Sequence, residues 1–346
     1  MRWLKTDGVG DMRAVVMTAN GSPEVLLCRT VADPTPTPTQ VIVQVRACGV
    51  CGHDVADRAG LTRIGAGTIL GHEIAGEVVA TGSAVSAFRC GDLVASKQHH
   101  TCRTCEECTS GDELACREAD FVYGGYAEYV ALEHDTLIKV PDGIDMTAAA
   151  VAACAVGSCL QALADVARVQ PGENVVITGA GGGLGLHAMQ VARYLGARVI
   201  AVTSSPTKSA LLSTYGADDV VVASEGIAEQ VLDLTDGVGA DVVLDNVGLA
   251  GVFDGCFKAL RRRGRYVLTG QLEREKISLY PAFVFFKEAI ITGSASTTTS
   301  SFARSLDLVG AGSIKPVTRT FALDEAAAAH RAIDRSEIVG RAVLIT

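Results

Sequence analysis

Asn174-Val175-Val176-Ile177-Thr178 runs into Gly179-Ala180-Gly181-Gly182-Gly183-Leu184-Gly185, and Leu186 to Leu195 then reads as a helix. A β-branched apolar run predicts a buried strand, the glycine cluster a tight turn, and the periodic segment after it a helix. Read as G-x-x-G-x-x-G on Gly179, Gly182 and Gly185, the turn lets backbone approach a pyrophosphate while the helix N-terminus favours negative charge. Gly181, Gly183 and Leu184 share that turn, so all six are candidate dinucleotide-binding residues.

Outward from the turn, short apolar runs recur at Arg198 to Thr203, Asp219 to Val222, Asp241 to Asp245, Gly264 to Leu268 and Ala289 to Thr292. Strand and helix in alternation specify a parallel, doubly wound α/β sheet of Rossmann type. Where the second strand ends, a site for NAD usually carries Asp or Glu to bond the ribose hydroxyls, and an acid there repels a 2′-phosphate. This chain has Thr203-Ser204-Ser205 instead, with Lys208 nearby, so NADPH is expected over NADH.

Before the glycine turn the rhythm differs. Ala14 to Met17, Val41 to Val45, Ile74 to Ala80, Leu93 to Ser96 and Tyr126 to Ala131 read as strands separated by proline and glycine turns, which predicts an antiparallel β module. Residues 1–12 read as an extension. Near the C-terminus, Ile314 to Val317 and Ala342 to Ile345 read as strands and Asp324 to Arg335 as a helix.

Cys102, Cys105, Cys108 and Cys116 form C-x2-C-x2-C-x7-C in a polar stretch. Four closely spaced thiolates meet the tetrahedral demand of Zn²⁺ and leave no open position, which points to a structural zinc in a lobe spanning 99–118. An iron–sulfur cluster is the competing assignment, since iron also takes four thiolates. Cys51, His72 and Cys154 are weaker signals taken singly, because buried cysteines and histidines are common in cores.

The 346 residues carry 30 basic and 39 acidic side chains, a net charge of −9. No global positive field exists to hold nucleic acid or an anionic membrane. The length suggests about two domains. No N-terminal apolar stretch marks a leader, and Ala148 to Ala164, the longest apolar segment, falls short of the ~20 strongly apolar residues of a membrane span. A cytoplasmic protein is expected, and eleven cysteines there favour metal over disulfides.

Together these motifs resemble the zinc-containing medium-chain dehydrogenase/reductase superfamily, the alcohol dehydrogenase group, from about Met12 to Thr346. Gly71-His72-Glu73 matches the family's G-H-E, Gly49-Val50-Cys51-Gly52-His53-Asp54 its G-V-C-x-x-D, and the four-cysteine spacing matches throughout. The resemblance implies a GroES-like β-barrel catalytic domain over 1–155, a Rossmann domain over 156–295, and a return to the catalytic domain over 296–346, with the active site between them. It implies Cys51, His72 and Cys154 as ligands of a catalytic zinc with an open position that Glu73 can enter, a ligand set known for alcohol dehydrogenase. Two Zn²⁺ per chain follow, one catalytic and one structural. Asp54 would orient the His72 imidazole. The implied activity is zinc-dependent, NADP(H)-linked hydride transfer between an alcohol and an aldehyde or ketone, in a homodimer or homotetramer joined through edge strands near Ile290 and Ile291.

The pattern departs from the family in its proton relay. The Ser or Thr two residues past the first ligand is His53 here, and the His five residues past it is Ala56. His53 is therefore the candidate proton carrier, with packing, or a bond to Glu73, as its structural alternative. Val175 to Thr203, Gly293 to Thr297 and Ile314 to Val317 are similar to the zinc-containing acryloyl-coenzyme A reductases, which implies NADPH-dependent reduction of an activated C=C bond as the alternative function. Arg261, Arg262, Arg263 and Arg265 would then meet coenzyme A phosphates or else form a solvated helix end. A third reading is a nucleotide sensor that binds NADPH without turnover, against which the open ligand set argues. Tyr123, Phe283 and Phe286 are aromatic candidates for shaping the substrate pocket.

Overall fold

The computed structural model describes residues 10–346. Most of the expected N-terminal extension lies outside the described residues, but Asp11 and Met12 already belong to the first strand. The chain forms two compact units: one comprises the described chain up to Gly157 with Ser296–Gly312 and Thr318–Thr346, the other Ser158–Ala295 with Ser313–Val317.

In the first unit, β1 (Asp11–Met17) and β2 (Leu26–Ala32) pair antiparallel. The long strand β3 (Gln40–Val50) ends at the short helix α1 (Gly52–Arg58). β4 (Glu73–Thr81) and β5 (Leu93–Ser96) continue an antiparallel sheet beside β3. Two-residue strands β6 (His99–His100) and β7 (Asp120–Phe121) pair at the base of the cysteine lobe. β8 (Tyr129–Glu133) pairs with β3, and β9 (Leu137–Lys139) with β5. The expected strand over Tyr126 to Ala131 thus begins three residues later, because Tyr126 is the anchor of a turn: its ring is fully buried and its backbone bonds Leu70 and Val15. Val43, Val45, Ile74, Tyr126 and Leu344 lie in one buried cluster that fixes the ends of β3 and β4, where the site is built.

The second unit contains β10 (Asn174–Ile177), β11 (Arg198–Thr203), β12 (Asp219–Val222), β13 (Ala240–Asp245), β14 (Leu260–Leu268) and β15 (Ile290–Gly293). Their order across the sheet is β12-β11-β10-β13-β14-β15, and every pairing is parallel. This is the 3-2-1-4-5-6 order of dinucleotide-binding folds, with β10 at the point where the winding reverses. Val176, Ile200, Val243, Phe253 and Tyr266 pack as one core, which is why these strands read as continuous apolar runs.

The chain returns to the first unit through β16 (Thr318–Ala322) and β17 (Arg341–Ile345). β17 pairs antiparallel with β3 and completes a seven-stranded sheet. Residues 314–317, expected as a strand, form a connection instead: Gln190 bonds the backbone of Lys315 and His187 that of Val317, so side chains satisfy groups a ladder would use. The helical run Met146–Val166 is the one stretch among the described residues long and apolar enough by composition to cross a membrane, and its most apolar window is 72% buried, as in a core helix.

Candidate active site

Cys51 sits where β3 gives way to α1, and its backbone N–H donates to Asp54 Oδ2 at 2.8 Å. The other Asp54 oxygen accepts from Gly71 N at 3.2 Å and lies 3.3 Å from His72 Nδ1. One fully buried carboxylate thus ties the Cys51 turn to the G-H-E turn and holds the imidazole that follows. Gly71 has φ +93°, and a Cβ there would come within 2.5 Å of the Tyr126 ring, so both conformation and space require glycine.

Glu73 opens β4 opposite Gly49 of β3, where a Cβ would collide with its carboxylate. That carboxylate is fully buried and lies 3.0 Å from Arg341 of β17. Arg341 also donates to Cys154 Sγ at 3.8 Å. Cys154 comes from a wide helical turn, Ala152–Gly157, of the π type that often marks a functional position. Ser305 Oγ donates to Ala152 O at 2.8 Å and secures that turn.

The donor atoms of Cys51, His72, Glu73 and Cys154 all lie within 4.8 Å of one another. The Cys51 and Cys154 sulfurs are 3.8 Å apart. A tetrahedral zinc with metal–sulfur distances of about 2.3 Å has sulfur–sulfur edges of roughly 3.8 Å, so this pair fits the ion. Both Glu73 oxygens are buried, and apart from the ion pair of Oε1 with Arg341 neither is held by a hydrogen bond, which leaves the carboxylate able to meet a cation. Ionisation prepares the same end: the bond from Cys154, then the charge of Arg341 and of His72, pulls the Cys51 thiol well below its ordinary pKa. Burial pushes Glu73 up to about 7, against the pull of Arg341.

The second cluster, Cys102, Cys105, Cys108 and Cys116, also brings its sulfurs within 4.8 Å. Cys102 lies 3.9 Å from Cys108 and 3.6 Å from Cys116, edges that fit a closed four-thiolate tetrahedron. Backbone N–H groups of Cys102, Cys105 and Cys108 point at cluster sulfurs at 3.4–3.5 Å. Lys97, nearly buried, pairs with Glu113 of the lobe at 2.9 Å and anchors it. All eleven cysteines are free thiols.

His53 follows Cys51 by two residues, and its ring stacks on Phe121 with centroids 4.6 Å apart. Its centroid is 5.8 Å from that of His72, and its Nε2 faces Asp57 at 3.5 Å rather than Glu73. Phe121 also meets the rings of His72, His99 and Tyr123. Burial, with the charges of His72 and Lys97, holds His99 down at about 4, so it is neutral at pH 7.

In the second unit, Gly182 caps the helix Gly183–Tyr194, which starts earlier than the apolar periodicity predicts. A Cβ on Gly185 would sit 2.3 Å from Gly179 O, so this glycine permits the close packing of turn on helix. Lys208 reaches back over the turn, its Cδ lying 2.9 Å from where a Gly181 Cβ would be. At the end of β11, Thr203 Oγ1 accepts from Ser205 N at 3.1 Å, and Ser204 is exposed. The arginine run forms part of β14 rather than a helix end, and every member is engaged: Arg261 with Asp241, Arg262 and Arg263 with Glu288, Arg265 with Glu173. Phe283 and Phe286 lie exposed on the helix Pro281–Lys287, whereas Tyr123 donates to Asp57.

Sequence reasoning did not single out Arg341, Asp57 or Phe121. Arg341 had a signal: it is the lone charge heading the apolar run Ala342-Val343-Leu344-Ile345. Asp57 and Phe121 had none, since their roles depend on neighbours distant in sequence.

Two families match the chain: the alcohol dehydrogenase GroES-like domain over residues 37–142 and the zinc-binding dehydrogenase family over residues 183–311. An acryloyl-coenzyme A reductase of Metallosphaera sedula is 32% identical over 342 residues, covering 97% of this chain and 100% of that protein. Among solved structures, AibC superposes with a TM-score of 0.89 at 37% identity, covering 97% of this chain and 96% of its own. An NAD-dependent alcohol dehydrogenase superposes with a TM-score of 0.90 at 33% identity, covering 97% and 100% respectively.

Proposed function

The chain belongs to the zinc-containing medium-chain dehydrogenase/reductase family, and on that premise we propose that it transfers hydride between NADP(H) and an alcohol–carbonyl pair. The observation that carries the reading is the buried set Cys51, His72 and Cys154, with Glu73 held beside it by Arg341. Zinc bound there supplies a Lewis acid that polarises a carbonyl oxygen or favours ionisation of an alcohol.

The chain's own residues supply the rest. Asp54 fixes the His72 ring, and Arg341 offsets the negative charge of Glu73 and the two thiols. His53, with Nε2 turned to Asp57, exchanges a proton with the substrate oxygen through Nδ1. Gly179, Gly181, Gly182, Gly183, Leu184 and Gly185 cradle the pyrophosphate, and Thr203, Ser204, Ser205 and Lys208 receive a 2′-phosphate where no carboxylate stands to repel it. NADPH should therefore give the higher kcat/KM, and a higher value with NADH overturns that assignment.

A second reading, reduction of an α,β-unsaturated thioester, is favoured by Ala56 in the relay position and by the likeness to an acryloyl-coenzyme A reductase. There the hydride goes to the β-carbon and a proton to the α-carbon. The paired arginines of β14 take no part in either reading. Residues 1–155 and 296–346 would form the catalytic part and 156–295 the nucleotide-binding part. We assign the enzyme to the cytoplasm, where thiols stay reduced. A homo-oligomer joined at β15 would cover Ile290 and the neighbouring exposed Tyr280, Phe283 and Phe286.

NADPH oxidation by the zinc-loaded enzyme, with simple aldehydes and ketones beside acryloyl- and crotonyl-coenzyme A, tests both readings. Preference for carbonyls supports the first, and preference for the thioesters replaces it with the second.

A further inference from the structure

Asp57 is a fully buried carboxylate outside the metal-donor set. Burying a carboxylate is costly unless it is well bonded, so its partners bear on why it is there. Thr62 Oγ1 donates to its Oδ1 at 2.6 Å and Tyr123 Oη to its Oδ2 at 3.0 Å. Each carboxylate oxygen thus accepts from one hydroxyl. His53 stands four residues earlier on the same face of α1, with Nε2 3.5 Å from Oδ1. One face of the His53 ring is covered by Phe121, stacked at an interplanar angle of 17°. Phe121 in turn meets the edge of His72 at 4.8 Å.

We propose that Asp57, braced by Tyr123 and Thr62, is a positioning residue that orients the His53 ring toward the substrate. The inference rests on the reading of His53 as proton carrier. Asp57 faces Nε2 at 3.5 Å and favours the tautomer that carries its hydrogen there, while Phe121 stacks on the ring. Nδ1, the nitrogen not turned to Asp57, is then the one left to meet the substrate, in a side chain that is 44% exposed. The arrangement replaces a hydroxyl relay with one oriented imidazole: His53 fills the Ser/Thr position, Ala56 leaves the second relay position empty of function, and Asp57 follows directly.

A double-mutant cycle on the zinc-loaded enzyme tests this, using whichever of butanal and crotonyl-coenzyme A the wild type reduces with NADPH. Asp57→Ala should lower kcat by ~10–100-fold with the KM for NADPH and the zinc content unchanged. Asp57→Asn, which keeps an acceptor, should recover part of that loss. In a His53→Ala background, Asp57→Ala should cost nothing further. Should Asp57→Ala fail to fold, Tyr123→Phe carries the same test, with a smaller loss that also vanishes without His53. Losses that multiply in the double mutant would assign Asp57 to structure alone and overturn the inference while leaving His53 its role. An undiminished kcat in His53→Ala would overturn the proton-carrier reading and the Asp57 inference with it.

Discussion

The two thiolate clusters use the same chemistry under opposite constraints. Four cysteines of the lobe fall between Cys102 and Cys116, three of them half-buried, and neighbouring backbone N–H groups support their charge. The other site gathers Cys51, His72, Glu73 and Cys154 from β3, β4 and a distant helix, all buried, and supports its charge with Asp54 and Arg341. A closed site can be made by a short segment alone. An open one needs a rigid surround, because one coordination position must stay free without the ligands collapsing onto it.

That contrast can be broken first at the lobe. Cys105→Ser should cost one of two zincs and leave residues 99–121 sensitive to protease, since a structural zinc supplies much of the folding energy of a small lobe. Metal analysis and limited proteolysis read this out, and the second zinc should remain. At the buried site the weight falls on charge balance instead. Arg341→Met leaves Glu73 without its partner and should destabilise the protein by ~3–5 kcal/mol in denaturant titration.

A pH effect of similar size belongs to the surround of the open site. Burial, aided by Arg58, holds His330 down at about 4, and its ring accepts from Arg58 Nε at 3.3 Å and bonds Tyr126 Oη at 3.0 Å. Between pH 6.5 and 4 the unfolded chain binds a proton here that the folded one does not, so stability rises with pH across that window. The contribution is fully present above 6.5 and lost as pH falls toward 4, a change of about 3 kcal/mol. His330→Gln should flatten that slope in unfolding measured at pH 7 and pH 5. The smallest effect is the sharpest in meaning: Asp54→Asn should weaken one zinc by ~10–100-fold in chelator competition and leave the lobe's unchanged.

The same contrast governs what the sequence makes legible. The lobe and the glycine turn are contiguous, so spacing alone exposes them, and the run of β-branched strands after Gly172 leads directly to the parallel sheet. Cys51, His72 and Cys154 are 103 positions apart end to end, and only family resemblance joins them in the linear chain. Arg341 reaches Glu73 because β17 pairs with β3 across Ala342 and Val50, a register no local pattern encodes. Where local pattern misleads, tertiary partners explain it. Ile314 to Val317 looks like a strand, but side chains from the helix Gly183–Tyr194 satisfy its backbone. The arginine run looks like a solvated helix end, but Glu173, Asp241 and Glu288 draw it into β14.

Turnover should depend on metal held by the dispersed, buried set Cys51, His72 and Cys154. Zinc per chain and NADPH turnover measured together on Cys51→Ala test it most directly. Cys51→Ala should hold one zinc where the wild type holds two, keep a folded lobe, and show no turnover above background. A Cys51→Ala protein that lacks that zinc yet retains full turnover would contradict it.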